Sequence, residues 1–557
     1  MIRPMRRQGF LTENSPRAAR FLESALLFNL FIHAVAMLSM AGLLLPGMPG
    51  GPVRDVLARA AYVAGHPWAW RLGWLPWQLT AGADFLLSLA LALTPWVPRG
   101  PAIATLLLTI AAMFPDQIGQ FLWITHGVVL ARQSVAGSNS TIYLHFEGSI
   151  FTLIGGIGCI GYLCGAIGWS WCLARAGTWS RRLTWLSFAT WGTFATCIVL
   201  FFLPPSMRPT RLIAAGNAIG FVLLELWFIG VAERVLARSR PTTRFGRGMP
   251  WRYPRPGWIG CTCEAFASSH VARRVTECLP APPLVSDIRD VIYVNYLVEA
   301  DRLRPLVPEG LELQCLGPLQ QSALFTVLIY RHGHFGPSGS GWFRGLMPSP
   351  IQSNWRVYVT DAQTGLRGVY FITTAITNLW IAVMARLFAE GVPMHLPELA
   401  ELESRSDGTF HVLIAPGQGS APDLRACLRP ISRPPLPASW TECFLDYHEF
   451  LEYCVPQNRA LAPQPWYRRV VRQQIDLSVP PENCRALDGP VQSTLLRQLV
   501  GDIEPVSFRL PAVTFHFQYE SLGNATVKRY ARLSNETTGP LSPAPDSGIT
   551  LPISPTD

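Results

Sequence analysis

Charged side chains are scarce in this sequence, and lysine is nearly absent. Asp, Glu, Lys and Arg together make up 15% of the 557 residues, and the mean hydropathy is +0.23. A soluble enzyme of this length is ordinarily more polar, so the composition argues against that class. The single lysine is Lys528, so a reaction through a lysine amine could occur nowhere else in the chain.

The few charges are unevenly distributed, and six long segments contain almost none. Each segment can supply the roughly 20 apolar residues that cross a bilayer core as a helix. The third is interrupted by FPDQIGQ at residues 114–120. We therefore predict six membrane spans, at residues 24–48, 72–98, 100–131, 148–173, 183–207 and 212–232.

Arginines beside these spans predict their orientation. They crowd the N-terminus, the fourth connection and the segment after the last span. Because such residues mark the cytoplasmic side, we expect a multi-pass protein of the cell (inner) membrane with both termini in the cytoplasm. A cleaved signal peptide is the alternative for the first span, but that apolar run is too long and lacks a convincing cleavage site.

The formal net charge of +10 could suggest a nucleic-acid partner. Its densest cluster instead follows the last span and is mixed with Trp251, Tyr253 and Trp258, which suits an anionic lipid surface. Positive-inside topology alone also explains these arginines. No nucleic-acid-binding motif is present. We expect the lipid bilayer as a partner and no nucleic acid.

The 12 cysteines show no disulfide-framework spacing, as expected on a reducing side of the membrane. One cluster, CTCEAFASSHVARRVTEC, contains Cys261, Cys263, His270 and Cys278. Its spacing matches none of the common structural zinc sites, so we predict no metal site.

Composition divides the chain into four parts. We predict a transmembrane helical domain at 1–235, a basic, proline-rich juxtamembrane linker at 236–285, a globular domain at 286–520 and a disordered tail at 521–557. The globular part is rich in β-branched and aromatic runs, with helices predicted at 378–390 and 439–454 and a hairpin connection at DAQTGLR. No regular βαβ alternation is present. The fold class is therefore α+β, with a six-helix transmembrane bundle followed by a mainly antiparallel sheet or barrel.

Several segments of the globular part together resemble a known family. NYLVEADRLRPLVPEGLEL, QSNWRVYV, RGVYFITTAITNLWIAVMARLFAEGVPMH and FLDYHEFLEYC resemble, in order and spacing, the uncharacterised bacterial branch of the acetoacetate-decarboxylase-like superfamily. The resemblance covers approximately residues 287–517. It implies a bent, partly closed β-barrel with an internal pocket.

The resemblance does not extend to the namesake chemistry. That enzyme forms a Schiff base through a buried lysine, whereas Lys528 lies beyond the last predicted strand. Arginine cannot replace lysine, because a guanidinium is not deprotonated in proteins. The branch also places an acidic residue where this chain has Gln352, and a histidine where RRVVRQQIDLSV has none. We expect no cofactor.

The strand SNWRVYV carries the best candidate for ligand binding. Its period of two places Asn354, Arg356 and Tyr358 on one face. If that face points inward, the Arg356 guanidinium needs an anionic partner, which a ligand carboxylate could supply. An internal ion pair, or an outward-facing arginine, is the structural alternative.

Three further residues are candidates for the same site. Tyr370 on the next strand and Asn378 at a helix start could orient a ligand, and His395 in GVPMH could carry a proton near neutral pH. His332 and His334 alternate as metal ligands can, but a third ligand is not evident.

These observations favour a membrane protein whose cytoplasmic β-barrel domain binds a small carboxylate-bearing or apolar molecule. Two alternatives stay open: a lyase or hydrolase that anchors its substrate on Arg356, and a transporter that uses the intramembrane carboxylates Asp84, Asp116 and Glu225. The sequence does not decide whether the protein is an enzyme, and a homo-oligomer is compatible with it.

Overall fold

The computed structural model divides into two compact units, Met1–Pro241 and Thr242–Asp557, which are described separately. The structure describes residues 16–204, 207–239, 251–276, 279, 283–388, 393–432, 435–455, 459–464, 469–476 and 479–520. The predicted disordered tail and Lys528 lie outside these residues.

All regular secondary structure in the described residues of the first unit is helical. Long apolar runs form helices because a helix satisfies its backbone N–H and C=O groups by hydrogen bonds within the segment. The helices are α1 (Pro16–Ser39), α2 (Val56–Gly65), α3 (Pro67–Leu93), α4 (Arg99–Leu122), α5 (Val128–Ala136), α6 (Thr141–Phe151), α7 (Cys159–Arg175), α8 (Arg181–Phe201) and α9 (Thr210–Ser239).

Five helical segments are long and apolar enough to span a membrane: Ala18–Gly47, Arg99–Ala136, Thr141–Arg175, Arg181–Phe201 and Thr210–Arg238. They correspond to five of the six predicted spans. The remaining one, at 72–98, lies largely within the 27-residue helix α3, which carries Arg71, Gln78 and Asp84 and is not among the five. FPDQIGQ does not break the third span, because Pro115 lies inside α4.

Strands are the main regular structure of the second unit's described residues. They are β1 (Leu284–Glu299), β2 (Leu311–Leu313), β3 (Cys315–Leu316), β4 (Ser322–Arg331), β5 (Gly336–Pro337), β6 (Ile351–Asp361), β7 (Arg367–Ile376), β8 (Met394–His395), β9 (Leu399–Ser404), β10 (Phe410–Ala415), β11 (Leu424–Pro430), β12 (Arg459–Gln464), β13 (Arg469–Asp476), β14 (Arg485–Asp488), β15 (Val491–Gln492), β16 (Val506–Leu510) and β17 (Val513–Glu520).

These strands form a curled, mainly antiparallel sheet. Pairing runs from β1 through β4, β6 and β7 to β12, β13 and β17, and β17 pairs again with the start of β1. The β7–β12 contact is parallel and the others are antiparallel. A second arm leaves the middle of β1, at residues 291–295, through β16, β14, β11, β10 and β9.

The described residues of the second unit also form helices. They are α10 (Trp258–Ala267), α11 (His270–Thr276), α12 (Ala300–Leu303), α13 (Leu379–Phe388), α14 (Ala438–Thr441), α15 (Tyr447–Cys454) and α16 (Thr494–Val500). Within the predicted linker at 236–285, the buried Trp251 and the helices α10 and α11 pack against α13.

The predicted local structure is confirmed around the hairpin and α13, and it differs around α15. β6 and β7 form the predicted hairpin, in which Gly365 adopts a φ of +68° that suits glycine. The helix expected at 439–454 is divided into α14 and α15. Asp446 lies between them, and its carboxylate accepts hydrogen bonds from the His448 and Glu449 amides at 2.8 and 2.9 Å, which starts a new helix.

Candidate functional site

The two faces of β6 pack into different cores, as the period of two predicts. Trp355, Val357 and Val359 belong to one buried apolar cluster, and Tyr358 belongs to the other. Arg356 lies on the Tyr358 side, where its guanidinium carbon is 5.2 Å from the Tyr293 ring centre and 5.6 Å from that of Tyr358. The inward orientation expected for Arg356 is therefore observed, with 5% of the residue exposed.

Cross-strand register brings polar residues from neighbouring strands beside Arg356. Thr326 on β4 is the direct cross-strand partner of Asn295 on β1. On its other side, Thr326 is the direct partner of Arg356 on β6. The Thr326 hydroxyl donates to Asn295 Oδ1 at 2.8 Å and lies 3.1 Å from the Tyr358 hydroxyl. Opposed side chains on one sheet face lie close enough to interact, so these residues form one polar row.

The Arg356 guanidinium is incompletely satisfied by the described part of the protein. Its Nη2 donates to the Cys454 carbonyl at 3.4 Å, at the end of α15. Its Nε is buried and has no hydrogen-bond partner among the described residues. No carboxylate of the described chain forms an ion pair with it. Burial raises the pKa of Tyr293, Tyr358 and Cys454. The surrounding groups are therefore neutral at physiological pH, and the site carries a net positive charge.

A second hydrogen-bonded chain continues along the same face. The Gln352 amide nitrogen donates to Asn354 Oδ1 at 2.7 Å, and Gln352 Oε1 accepts from His332 Nε2 at 2.8 Å. Asn354 Nδ2 donates to the Tyr330 hydroxyl at 3.3 Å. Burial lowers the pKa of His332 to about 4, although its bond to Gln352 opposes the shift. The imidazole is therefore neutral, and Gln352 orients it and Asn354.

Two predicted ligand residues lie elsewhere. A β-bulge between Trp355 and Arg356 places Phe371 opposite Arg356, so Tyr370 is opposite Val357 and packs on the other core. Asn378 acts as a helix cap, because its Oδ1 accepts from the Ile381 amide at 3.0 Å. Neither Tyr370 nor Asn378 therefore lies where it could orient a ligand beside Arg356, contrary to the prediction from the sequence.

His395 is also separate from the polar row. Its Nδ1 lies 2.6 Å from the Ser420 hydroxyl, and its Nε2 lies 3.1 Å from Arg386 Nη2. Burial, with a smaller contribution from the Arg386 charge, lowers its pKa well below the ordinary value. Both ring nitrogens are occupied by protein groups, and this environment disfavours the protonated form that a proton carrier must adopt.

The contributions of β1 and β4 to this polar row are not predicted from the sequence. Tyr293 and Asn295 alternate along β1, and Thr326, Tyr330 and His332 alternate along β4 and its extension. Polar residues at every second position of otherwise apolar strands were the available signal. Their pairing with β6 depends on register, which spacing within one strand does not reveal.

The metal candidates do not form a site in the described chain, where no group of three or more His, Cys, Asp or Glu side chains could hold an ion. Cys278 of the CTCEAFASSHVARRVTEC cluster lies outside the described residues. Two surface cavities, of about 400 and 480 Å³, do not include Arg356. The first is lined by residues that include Glu403, His411 and Cys427, and the second by residues that include Pro430 and Glu482.

Comparison with protein-family models finds one match in the C-terminal unit. Residues 286–412 match DUF2071, a family described as "Uncharacterized conserved protein". No curated protein matches the chain.

Solved structures similar to the chain are acetoacetate-decarboxylase-like enzymes. Acetoacetate decarboxylase from Legionella pneumophila is 15% identical with a TM-score of 0.30, covering 43% of this chain and 88% of that chain. The enduracididine biosynthesis enzyme MppR is 13% identical with a TM-score of 0.30, covering 44% and 89%. An acetoacetate decarboxylase-like enzyme from Sphingomonas wittichii is 11% identical with a TM-score of 0.28, covering 44% and 92%. Likeness at this level says nothing about activity.

Proposed function

We propose that the C-terminal unit binds a small molecule bearing a carboxylate, with Arg356 as the anchor. The observation that carries this proposal is a buried guanidinium with no carboxylate partner in the described chain and an unpartnered Nε. An unpaired buried charge is strongly destabilising, and a ligand anion would remove that cost.

The groups around Arg356 favour an anion over a neutral ligand. Tyr293 and Tyr358 flank the guanidinium with neutral hydroxyls, and neither cancels its charge. A carboxylate could accept two parallel hydrogen bonds from the guanidinium fork, which adds geometric selectivity to the electrostatic attraction. The Thr374 hydroxyl, opposite Asn354 on β7, is also buried without a partner and offers a further polar contact.

Binding is a better-supported function than lyase or hydrolase chemistry. The acidic position of the resembled family is Gln352, whose amide is engaged with His332 and Asn354. His395, the expected proton carrier, is held by Arg386 and Ser420 in a different cluster. We therefore propose a binding or sensory domain, closed as a barrel and tethered by the helical unit to the cytoplasmic face of the membrane.

The proposal is tested by ¹⁹F NMR of the full chain with fluorinated monocarboxylates, each paired with its amide. We expect carboxylates to bind more tightly than the matching amides, and Arg356→Met to abolish that preference. Arg331→Met is the control, because the Arg331 Nη2 is satisfied by the Leu402 carbonyl at 2.6 Å. A preference that survives in Arg356→Met contradicts the anchoring role.

The helical unit supports ion transport as a second candidate function. His33 Nε2 lies 3.9 Å from Asp84 Oδ1, and Asp116 accepts hydrogen bonds from Gln120 at 3.0 Å and Tyr162 at 3.2 Å. These residues come from α1, α3, α4 and α7, and Asp84 Oδ1 and both Glu225 carboxylate oxygens have no hydrogen-bond partner among the described residues. Ionisable groups buried between membrane helices commonly mark proton or ion paths.

Transport is tested with the full chain in vesicles containing a pH-sensitive dye. Asp84→Asn and Glu225→Gln should abolish proton flux, whereas Asp55→Asn should not, because the Asp55 side chain only caps α2. Flux that is unchanged in Asp84→Asn and Glu225→Gln would exclude these carboxylates from the path.

A further inference from the structure

A cysteine, a histidine and a glutamate lie in one row across the second arm of the sheet. His411 on β10 is the direct partner of Glu403 on β9 and of Cys427 on β11. Direct antiparallel partners project from the same face. Their neighbours Leu402, Val412 and Ala426 are buried on the opposite face, so the row lies on the outer face of this arm.

The thiol and the imidazole are in contact. Cys427 Sγ lies 3.9 Å from His411 Nε2, within the range of a sulfur hydrogen bond. Cys427 is exposed and free, so a reagent can reach it from solvent. Glu403, on β9, lies on the other side of His411 from Cys427.

This row lines a surface groove of about 400 Å³ that contains Glu403, His411 and Cys427 together with Arg405 and Arg425. Arg425 and Arg429 are two residues before and after Cys427 on β11, and all three are exposed. Because side chains at i and i+2 share one face of a strand, both arginines lie on the same face as the thiol. Arg429 Nη2 lies 3.9 Å from Asp488 Oδ2. Because this ion pair is exposed to solvent, it offsets the Arg429 charge only weakly.

We propose that Cys427 is a reactive thiol that forms mixed disulfides with small, carboxylate-bearing disulfides. His411 takes the Cys427 proton, and the resulting thiolate attacks one sulfur of the disulfide. The S–S bond of the reagent breaks, a bond forms between Cys427 Sγ and the attacked sulfur, and the released thiolate takes the proton from His411. The small disulfide is the oxidant and is reduced to one thiol.

The charges of the groove explain the preference for carboxylate-bearing reagents. Arg425 and Arg429 place positive charge on the sheet face that carries the thiol, and cationic neighbours are a known cause of thiol reactivity. Arg405 and Arg425 can also hold a carboxylate of the incoming disulfide. This site is separate from Arg356 and does not depend on the function proposed for it.

The test compares two disulfides on the full chain in detergent. One is 5,5′-dithiobis(2-nitrobenzoate), which carries carboxylates, and the other is the uncharged 2,2′-dithiodipyridine. Thiol release is followed by absorbance, and mass spectrometry of peptides identifies the modified cysteine. Cys261 is the internal control, because it is also exposed and free, and no histidine bond to its sulfur is observed among the described residues.

We expect Cys427 to react with the carboxylate-bearing reagent roughly tenfold faster than Cys261. Cys427→Ser should remove that fast phase, and Cys261→Ser should leave it intact. His411→Gln should slow Cys427 with both reagents, whereas Arg425→Gln should slow the carboxylate-bearing reagent more than the uncharged one.

Equal rates at Cys427 and Cys261, or an unchanged Cys427 rate in His411→Gln, would overturn the proposed activation. Equal slowing of both reagents by Arg425→Gln would overturn the selection for carboxylates. Cys261, Arg425 and Cys427 are exposed and His411 is half-buried at the surface, so their substitution should leave the fold intact, and the unchanged rate at Cys261 reports on that.

Discussion

Arg356 and His332 show two ways in which a buried basic side chain can exist on the same sheet face. The imidazole of His332 avoids the cost of a buried charge by staying neutral, since burial lowers its pKa to about 4. A guanidinium has no neutral form at accessible pH, so Arg356 stays charged and needs an anion. Both side chains affect stability, in ways that can be measured.

Replacing Arg356 with methionine should stabilise the ligand-free protein by about 1–3 kcal/mol, because it removes an unpaired buried charge and keeps an unbranched side chain. The measurement is amide hydrogen exchange of β6 in the full chain without ligand. A purely structural arginine gives the opposite sign, since its contacts with Tyr293, Tyr358 and Cys454 would be lost. Arg331→Met, which leaves the Leu402 carbonyl without its donor, should be destabilising.

Because of His332, the free energy of unfolding of the second unit should decrease as the pH falls. Its pKa is lowered from 6.5 to about 4 in the folded protein, so between these values the unfolded chain binds a proton that the native state does not. Stability is full above pH 6.5 and decreases as the pH falls towards 4, by roughly 3 kcal/mol in total.

The His332→Gln variant should show a smaller decrease in β4 exchange protection between pH 7 and pH 5. His448→Gln is the control, because His448 is on the exposed side of α15 and donates no bond to the polar row. Equal pH dependence in wild type and His332→Gln would show that another group is responsible.

At the scale of elements, α15 connects a surface cap to the buried site. Asp446 caps its first turn, and the Cys454 carbonyl at its last residue accepts the bond from Arg356. Phe450 and Leu451 bury its apolar side in the core that also contains Tyr293 and Tyr358. The position of α15 therefore determines the surroundings of the guanidinium.

Removing the cap with Asp446→Ala should destabilise α15 by about 1 kcal/mol, since two amides lose their acceptor. Hydrogen exchange of the α15 amides is the measurement, and carboxylate binding should weaken in parallel. Asp446→Asn preserves a capping oxygen and is the matched control. Equal effects of the two substitutions would mean that the cap does not act as described.

At the scale of the whole molecule, the number of spans decides which side of the membrane holds each end. Five helical segments are apolar enough to cross, and α3 would be the sixth span. Its 27 residues extend about 40 Å at 1.5 Å per residue, which exceeds the hydrocarbon thickness. An even number of crossings returns the chain to its starting side.

We expect compartment-sensitive reporters at the N-terminus and after residue 280 to report the cytoplasm. This result requires α3, or another segment, to cross in addition to the five apolar segments. Opposite locations for the two reporters would instead indicate an odd number of spans. A reporter after residue 95, between α3 and α4, tests α3 directly, because its side differs depending on whether α3 crosses.

The sequence alone determined the features that depend on neighbouring residues. Long apolar runs predicted the helices, and the period of two in SNWRVYV placed Arg356 and Tyr358 on one face of β6, because side-chain direction in a strand is a local property. The turn at Gly365 and helix α13 followed from turn and termination signals in the same way.

Only the tertiary structure decided which distant residues meet. The bulge before Arg356 moved Tyr370 to the other core, and His395 joined Arg386 and Ser420 rather than the polar row. Register brought Thr326 beside Arg356 and His411 beside Cys427. Strand register is set by the packing of whole sheets, so residues far apart in the chain become neighbours without any local signal in the sequence.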